Sequence, residues 1–274
     1  MTRSQAEKGA AFKALHERPG CFVMPNPWDA GSAHLLAGLG FEALATTSAG
    51  FAFSIGRRDG EGKLSRDDVL ENARVIIGAT DLPVSADLEG GFGDAPEAAA
   101  KTITEAARAG LVGGSIEDAT GCKDAPIHDF GLAVERVKAA VAAARALPFP
   151  FTLTARAENL AYGRHDMADT IRRLQAYQGA GADVLFAPGL KSEDDIRTIT
   201  RAVDRPVNVV IGLHAASWTV EKLTALGVKR ISLGSSFSRA ALGAFLRAAE
   251  EVKERGSFSF VSAAIPYGKI NGRF

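Results

Sequence analysis

The sequence predicts an α/β protein folded as a closed (β/α)8 barrel, the TIM barrel, and three observations lead there. Eight short apolar runs recur along the chain, and a stretch of helical pattern follows each. The runs are near-continuous rather than alternating, as expected of parallel strands covered on both faces. Chemically capable side chains gather where the runs end, whereas the starts are mostly apolar or glycine. Eight βα units in 274 residues favour a barrel over an open doubly wound sheet, which usually has fewer strands.

Taken in order, residues 4–17 read as a helix with Ala10, Phe12 and Leu15 apolar. The strands are expected at Cys21–Asn26, Ala43–Thr47, Pro83–Asp87, Gly114–Glu117, Phe151–Arg156, Val184–Pro188, Val207–Ile211 and Arg230–Leu233. Helices fit between and after them at 29–39, 65–79, 95–110, 130–146, 166–180, 191–202, 217–226 and 236–254. Ser65 before Asp67 and Asp68, and Ser192 before Glu193, Asp194 and Asp195, mark helix starts, because acids suit the positive end of a helix. Gly110, Gly181 and Gly227 sit where a helix ends in a left-handed residue.

Composition narrows the function classes. Hydrophobic residues make up 46%, ample for a core, and no Pro-, Ser- or charge-rich linker divides the chain. One domain over 1–274 is therefore expected, with the barrel at about 20–245 and a C-terminal helix and tail at about 236–274. The 32 basic and 32 acidic residues balance, so the basic excess of a nucleic-acid binder is missing. The longest apolar runs, such as Ala139–Ala144, fall well short of the ~20 residues a membrane helix needs. The opening residues lack the apolar stretch of a signal peptide. Two cysteines, Cys21 and Cys122, cannot make a disulfide framework and suit a reducing, cytoplasmic setting.

The strand ends carry the chemistry. Asp87 and Glu89 stand two apart where the third strand becomes the glycine-rich stretch Gly90-Gly91-Phe92-Gly93, so both acids can face one space. Like charges held together are costly unless a cation or a proton joins them. Asp59 after the second strand and Glu117 at the end of the fourth can converge on the same point. An all-oxygen set suits Mg2+ or Mn2+; zinc is disfavoured because no His/Cys cluster has zinc spacing. Mg2+ keeps several waters, so Asp87 is expected as the direct ligand, with Glu89, Glu117 and Asp59 acting largely through water. Arg156 ends the fifth strand; it either grips a substrate carboxylate with its fork or neutralises Glu117 or Glu158. A metal beside an arginine points to a small 2-oxo or 2-hydroxy acid, with donors at Thr47-Ser48-Ala49-Gly50 placed to stabilise an enolate oxygen. Trp28 is expected near the site floor, and Asn208 and His214 near the substrate, His214 being equally readable as a plain loop histidine.

These residues carry a resemblance. The segments Asp87-Leu88-Glu89-Gly90-Gly91-Phe92-Gly93, Gly114-Ser115-Ile116-Glu117-Asp118 and Thr154-Ala155-Arg156-Ala157-Glu158 resemble the phosphoenolpyruvate mutase/isocitrate lyase superfamily. So do Thr47-Ser48-Ala49-Gly50 and Gly56-Arg57-Arg58-Asp59, while Met24-Pro25-Asn26-Pro27-Trp28-Asp29-Ala30-Gly31-Ser32-Ala33 resembles its phosphonomutase-like branch. The resemblance spans about residues 20–245. It implies a (β/α)8 barrel, a Mg2+-bound 2-oxo acid or enolate, and the making or breaking of a C–C or C–P bond. It also implies a homodimer or homotetramer in which the C-terminal helix is exchanged between subunits.

The chain departs from the superfamily in the loop after the fourth strand, Asp118 to Phe130, which would gate the site. The lyases carry a Lys-Lys/Arg-Cys-Gly-His pattern there; this chain reads Ala119-Thr120-Gly121-Cys122-Lys123-Asp124-Ala125-Pro126-Ile127-His128. Cys122, Lys123 and His128 are the acid/base candidates, Cys122 reading more readily as an incidental loop thiol. The expected function is a Mg2+-dependent carbon–carbon lyase of the isocitrate/methylisocitrate lyase or oxaloacetate decarboxylase kind. The alternatives are a phosphonopyruvate mutase or hydrolase, and a 2-oxo-acid binder without turnover.

Overall fold

The structure, a computed structural model, describes residues 3–60, 62–212 and 215–274. Eight parallel strands form one sheet: β1 Phe22–Met24, β2 Leu44–Ala45, β3 Val84–Asp87, β4 Gly113–Glu117, β5 Thr152–Arg156, β6 Val184–Phe186, β7 Val207–Val210 and β8 Arg230–Ser232. Their order is β1-β8-β7-β6-β5-β4-β3-β2. The remaining seam, between β1 and β2, is bridged where the Ala45 N–H donates to the Pro25 carbonyl at 3.0 Å. The barrel is thus nearly closed, as expected from eight βα units.

Each strand lies where the sequence places it, but most ladders stop short of the expected C-terminal ends. The side chains at the rim take over the bonding there. Asn26 donates to the Thr46 carbonyl at 2.9 Å, and its amide oxygen accepts from the Leu233 and Gly234 N–H groups at 2.8 and 2.9 Å. One buried amide therefore ties the tops of β1, β2 and β8 together where regular pairing has ended.

The helices are α1 Gln5–Glu17, α2 Ala30–Gly38, α3 Ser48–Ser54, α4 Arg66–Gly78, α5 Pro96–Arg108, α6 Phe130–Arg145, α7 Met167–Gly179, α8 Glu193–Ala202, α9 Val220–Ala225, α10 Ser236–Arg255 and α11 Tyr267–Asn271. The start signals are real caps: Ser65 and Ser192 each form a reciprocal box with the aspartate three residues on, Asp68 and Asp195. Gly110, Gly181 and Gly227 take φ of 102°, 99° and 87°, where a side chain would be strained. The short α3 was not expected. It is nucleated by Thr47, whose hydroxyl accepts from the Gly50 N–H, a local hydrogen bond too short-range to leave a periodic pattern.

Helix α1 lies across the N-terminal ends of the strands. Phe12 is fully buried there, edge-on to Phe22 with centroids 6.5 Å apart. A Cβ on Gly113 would come within 2.7 Å of the Phe12 ring and 3.0 Å of the Thr152 carbonyl. Glycine at this position lets α1 seat against β4 and β5, and overpacking of this kind costs roughly 1–3 kcal/mol. Gly113→Ala is accordingly expected to lower unfolding free energy by that amount in urea titration. An unchanged midpoint would mean that α1 does not press on the barrel at this point.

Candidate active site

The barrel mouth is organised by Arg156 at the end of β5. Its Nη1 donates to Asp87 Oδ1 at 2.8 Å, Nη2 to Glu117 Oε2 at 2.9 Å and Nε to Glu158 Oε1 at 2.9 Å. The guanidinium also lies over the Phe186 ring, 5.1 Å from its centroid. Parallel register brings this about: Glu117 pairs with Arg156 across β4–β5, and Asp87 with Ser115 across β3–β4. Of the two roles open to Arg156, neutralising acids is the one its contacts show.

Asp87 is held from several sides. Its backbone N–H donates to Thr46 Oγ1 at 3.0 Å, and its carboxylate accepts from Ser48 Oγ at 2.9 Å. Glu89 follows in a left-handed conformation, φ 47°, unusual for a residue with a side chain. The strain is held by a hydrogen bond from the Glu117 N–H to the Glu89 carbonyl at 3.0 Å. Arg136 of α6, only 1% exposed, donates to the carbonyls of Gly90, Gly93 and Asp94. One buried guanidinium thereby fixes the glycine-rich loop behind the acids.

The acids outnumber their cation, and their proton affinities show it. Burial, then the Asp87 and Asp59 charges, push Glu89 up to about 7. Burial likewise raises Glu117 well above the usual carboxylate range, with Arg156 opposing. Glu158 is raised for the same first reason, and Asp59 by burial and the Asp87 charge. Asp87 thus acts on Asp59, Glu89 and Glu117, whereas Asp59 sits on an exposed part of its loop and lines neither cavity described below. Among the described residues, no group of three or more His, Cys, Asp or Glu is gathered closely enough to hold a metal ion by itself. The set is nonetheless all oxygen, deficient in positive charge and anchored on Asp87, which suits a hard cation that keeps most of its water.

Two cavities meet at these acids. A cleft of about 530 Å³ is lined by Glu89, Glu117, His128 and Tyr162, among others. A smaller cavity of about 180 Å³ enters the barrel, lined by Ser48, Asp87, Ser115, Arg156, Asn208 and Arg230, among others. Thr47 and Ala49 also line the smaller cavity. Gly50 does not; its N–H is bound to Thr47 Oγ1 at 3.2 Å. Trp28 lines neither cavity: its Cβ abuts Gly50, and its carbonyl accepts from Asn72. The loop after β4 folds back as a hairpin, with an antiparallel bridge between Ala119 and Ile127. Cys122 and Lys123 are exposed in it and line neither cavity. His128 at its base is buried and faces the larger cleft; burial and Arg136 lower its proton affinity. His214 lies outside the described residues.

Residues 12–253 match the phosphoenolpyruvate phosphomutase family. The chain belongs to this family. It is an enzyme of the phosphoenolpyruvate mutase/isocitrate lyase superfamily, which sets aside the expectation of a binder without turnover. A solved structure of a provisionally assigned lyase/mutase from Burkholderia cenocepacia J2315 is 59% identical. It superposes with a TM-score of 0.95, covering 98% of this chain and 95% of that one. The 2-methylisocitrate lyase of Escherichia coli K12 is 31% identical over 253 residues, 89% of this chain and 82% of the relative. A phosphonopyruvate hydrolase solved with oxalate and Mg2+ is 26% identical, with a TM-score of 0.85, covering 97% of this chain and 95% of that one.

One layer beneath the rim lies a group the sequence reading missed. Arg230, the first residue of β8, is 3% exposed. It donates from Nε to Asn208 Oδ1 at 2.8 Å and from Nη2 to Thr154 Oγ1 at 2.9 Å, and its Nη1 lies 3.3 Å from His16 Nε2. A charged residue opening an otherwise apolar strand was the available signal. His16 Nδ1 lies 2.8 Å from the Phe12 carbonyl. A carbonyl can only accept and a guanidinium only donate, so His16 is neutral with its proton on Nδ1.

Burial and the Arg230 charge hold His16 at about 3, below its ordinary 6.5. Between those values the unfolded chain binds a proton that the folded chain refuses. Stability from this group is full above 6.5 and is lost as pH falls, by at most about 1.4 kcal/mol per unit. His16→Gln is expected to flatten the fall in urea-unfolding free energy between pH 6.5 and 4.5. An unaltered slope would show that His16 is protonated in the fold.

Proposed function

We propose that the enzyme is a Mg2+-dependent lyase, with Mn2+ as a substitute, that cleaves a C–C bond in a small 2-oxo or 2-hydroxy carboxylic acid through an enolate. The observation that carries this reading is the acid cluster at the barrel mouth, where Asp59, Asp87, Glu89 and Glu117 share one nearby cation, Arg156. Asp87 would hold the metal directly, with Glu89, Glu117 and Asp59 holding its waters. The metal, when bound, supplies a Lewis acid for the developing enolate oxygen. Arg156 holds Asp87 aimed into the mouth. Ser48 fixes the second Asp87 oxygen, and Ala49 contributes the wall beside it. His128, buried at the base of the hairpin and kept neutral by its surroundings, is the better-placed acid/base; Cys122 and Lys123 would need the hairpin to close.

The second reading is a mutase or hydrolase acting on the C–P bond of a phosphonopyruvate-like acid. It is favoured by the likeness to the hydrolase, which spans the whole barrel. The readings separate when protein and Mg2+ are incubated with methylisocitrate, oxaloacetate or phosphonopyruvate while pyruvate and phosphate are followed. Carbon–carbon cleavage, read as pyruvate formed from methylisocitrate or oxaloacetate without phosphate release from phosphonopyruvate, is expected; phosphate release alone would overturn the lyase reading. Asp87→Ala is expected to abolish turnover and the Mg2+-dependent thermal protection by oxalate. Retention of that protection would remove the metal site.

The helix α10 and the tail expose Phe245, Leu246, Phe258, Val261, Ile265 and Tyr267, too much apolar surface to leave wet. We propose that a second copy covers it in a homodimer or homotetramer, with α10 exchanged. Light scattering should give a multiple of 28.7 kDa. A monomer at micromolar concentration would exclude this assembly.

A further inference from the structure

The smaller cavity holds two arginines with opposite surroundings. Arg156 faces three carboxylates. Arg230 lines the same cavity with only neutral partners: Asn208 Oδ1, Thr154 Oγ1 and the neutral His16 ring. No ion pair joins it to an acid among the described residues, and no acidic charge is a cause of its lowered proton affinity; burial alone is. A buried charge is normally matched by an opposite one, because hydrogen bonds to neutral groups replace hydration without supplying a counter-charge. Three of its five N–H groups meet these acceptors, which leaves two for a ligand.

We infer that the interior of the barrel mouth is a carboxylate subsite whose cation is Arg230, and that it takes the end of the substrate remote from the reacting 2-oxo or 2-hydroxy group. This rests on the lyase reading above. Arg230 is level with Asn208 across β7–β8, and Thr154 precedes Arg156 by two residues on β5. Two residues along a strand span roughly 6.6 Å. An acid held at the Asp87 rim therefore has its far end directed toward Arg230, deeper in the same cavity. Ser85, Ser115 and Ser232 also line the space, so its walls can hydrogen-bond an anion. The neutral His16, outside the lining of this cavity, holds the guanidinium without competing for it.

The test compares L-malate with L-lactate, 2-hydroxy acids that differ by one terminal carboxylate, titrated calorimetrically with Mg2+ present. Wild-type protein is expected to bind malate about tenfold or more tightly than lactate, the size of one charge-assisted pairing. Arg230→Met should remove that preference while leaving Mg2+-dependent oxalate binding intact. Should Arg230→Met fail to fold, Arg230→Lys keeps the buried charge and is expected to weaken malate severalfold with oxalate unchanged. Equal binding of malate and lactate by the wild type overturns the inference, as does a preference left undiminished in either variant. Crystals grown in sodium bromide distinguish a free inorganic anion as the occupant: bromide beside Arg230 without any malate preference overturns the substrate role. Failure of the lyase reading looks different: phosphate is then released from phosphonopyruvate without carbon–carbon cleavage, whatever the malate preference.

Discussion

The fork of Arg156 into three carboxylates is the interaction on which the barrel mouth depends. Asp87, Glu117 and Glu158 arrive from three consecutive βα units, and one guanidinium meets all of them at hydrogen-bonding distance. Like charges this close in a buried place would drive one another to protonate. The arginine limits that, but Glu89, Glu117, Glu158 and Asp59 all keep proton affinities above the ordinary. The mouth therefore has an outstanding demand for positive charge, which the proposed hydrated divalent cation would meet. Strand register is what makes this possible: a shift of one residue in β4 against β5 would turn Glu117 to the other face.

Deeper in the barrel the sign reverses. Arg230 has the burial of a core residue and the charge of a surface one, and its neighbours supply hydrogen bonds but no counter-charge. The tautomer of His16 follows from α1 capping the strand starts, since the Phe12 carbonyl lies one helical turn behind it and Arg230 ahead. Helix α1, remote from the chemistry, thus touches the smaller cavity only through the guanidinium of Arg230. A rim that seeks cations above an interior that seeks anions would orient the proposed chelating acid along the barrel axis.

Around the site, polar groups with no catalytic contact set the geometry. Arg136 gathers three carbonyls of the loop that carries Glu89. Asp118 accepts from Tyr177 Oη at 2.6 Å, Arg173 Nη1 at 3.1 Å and the Glu158 N–H at 2.8 Å, joining β4 to α7 and the start of the loop after β5. Tyr177 is fully buried, and burial with the Asp118 charge keeps its phenol protonated, so it serves as a donor.

By itself the sequence determined the eight βα units, their caps and the acids at the strand ends. Each of these depends on local order: apolar runs, Ser65 and Ser192 three residues ahead of an aspartate, Asp87 and Glu89 two apart in a strand. The resemblance pointed to the superfamily through short motifs of the same local kind. Helix α3 escaped notice because one Thr47 hydrogen bond, not periodicity, starts it. Arg136, Asn26 and Arg230 escaped because their partners lie far along the chain: Asn26 meets Gly234 and Arg230 meets His16, pairs joined only when the barrel closes. Cys122 and Lys123 looked chemically capable by residue type, but the hairpin holds them in solvent. Tertiary structure alone decided which arginine is saturated and which is free of acids, because counter-charge is a property of neighbours in space and no spacing along the chain encodes it.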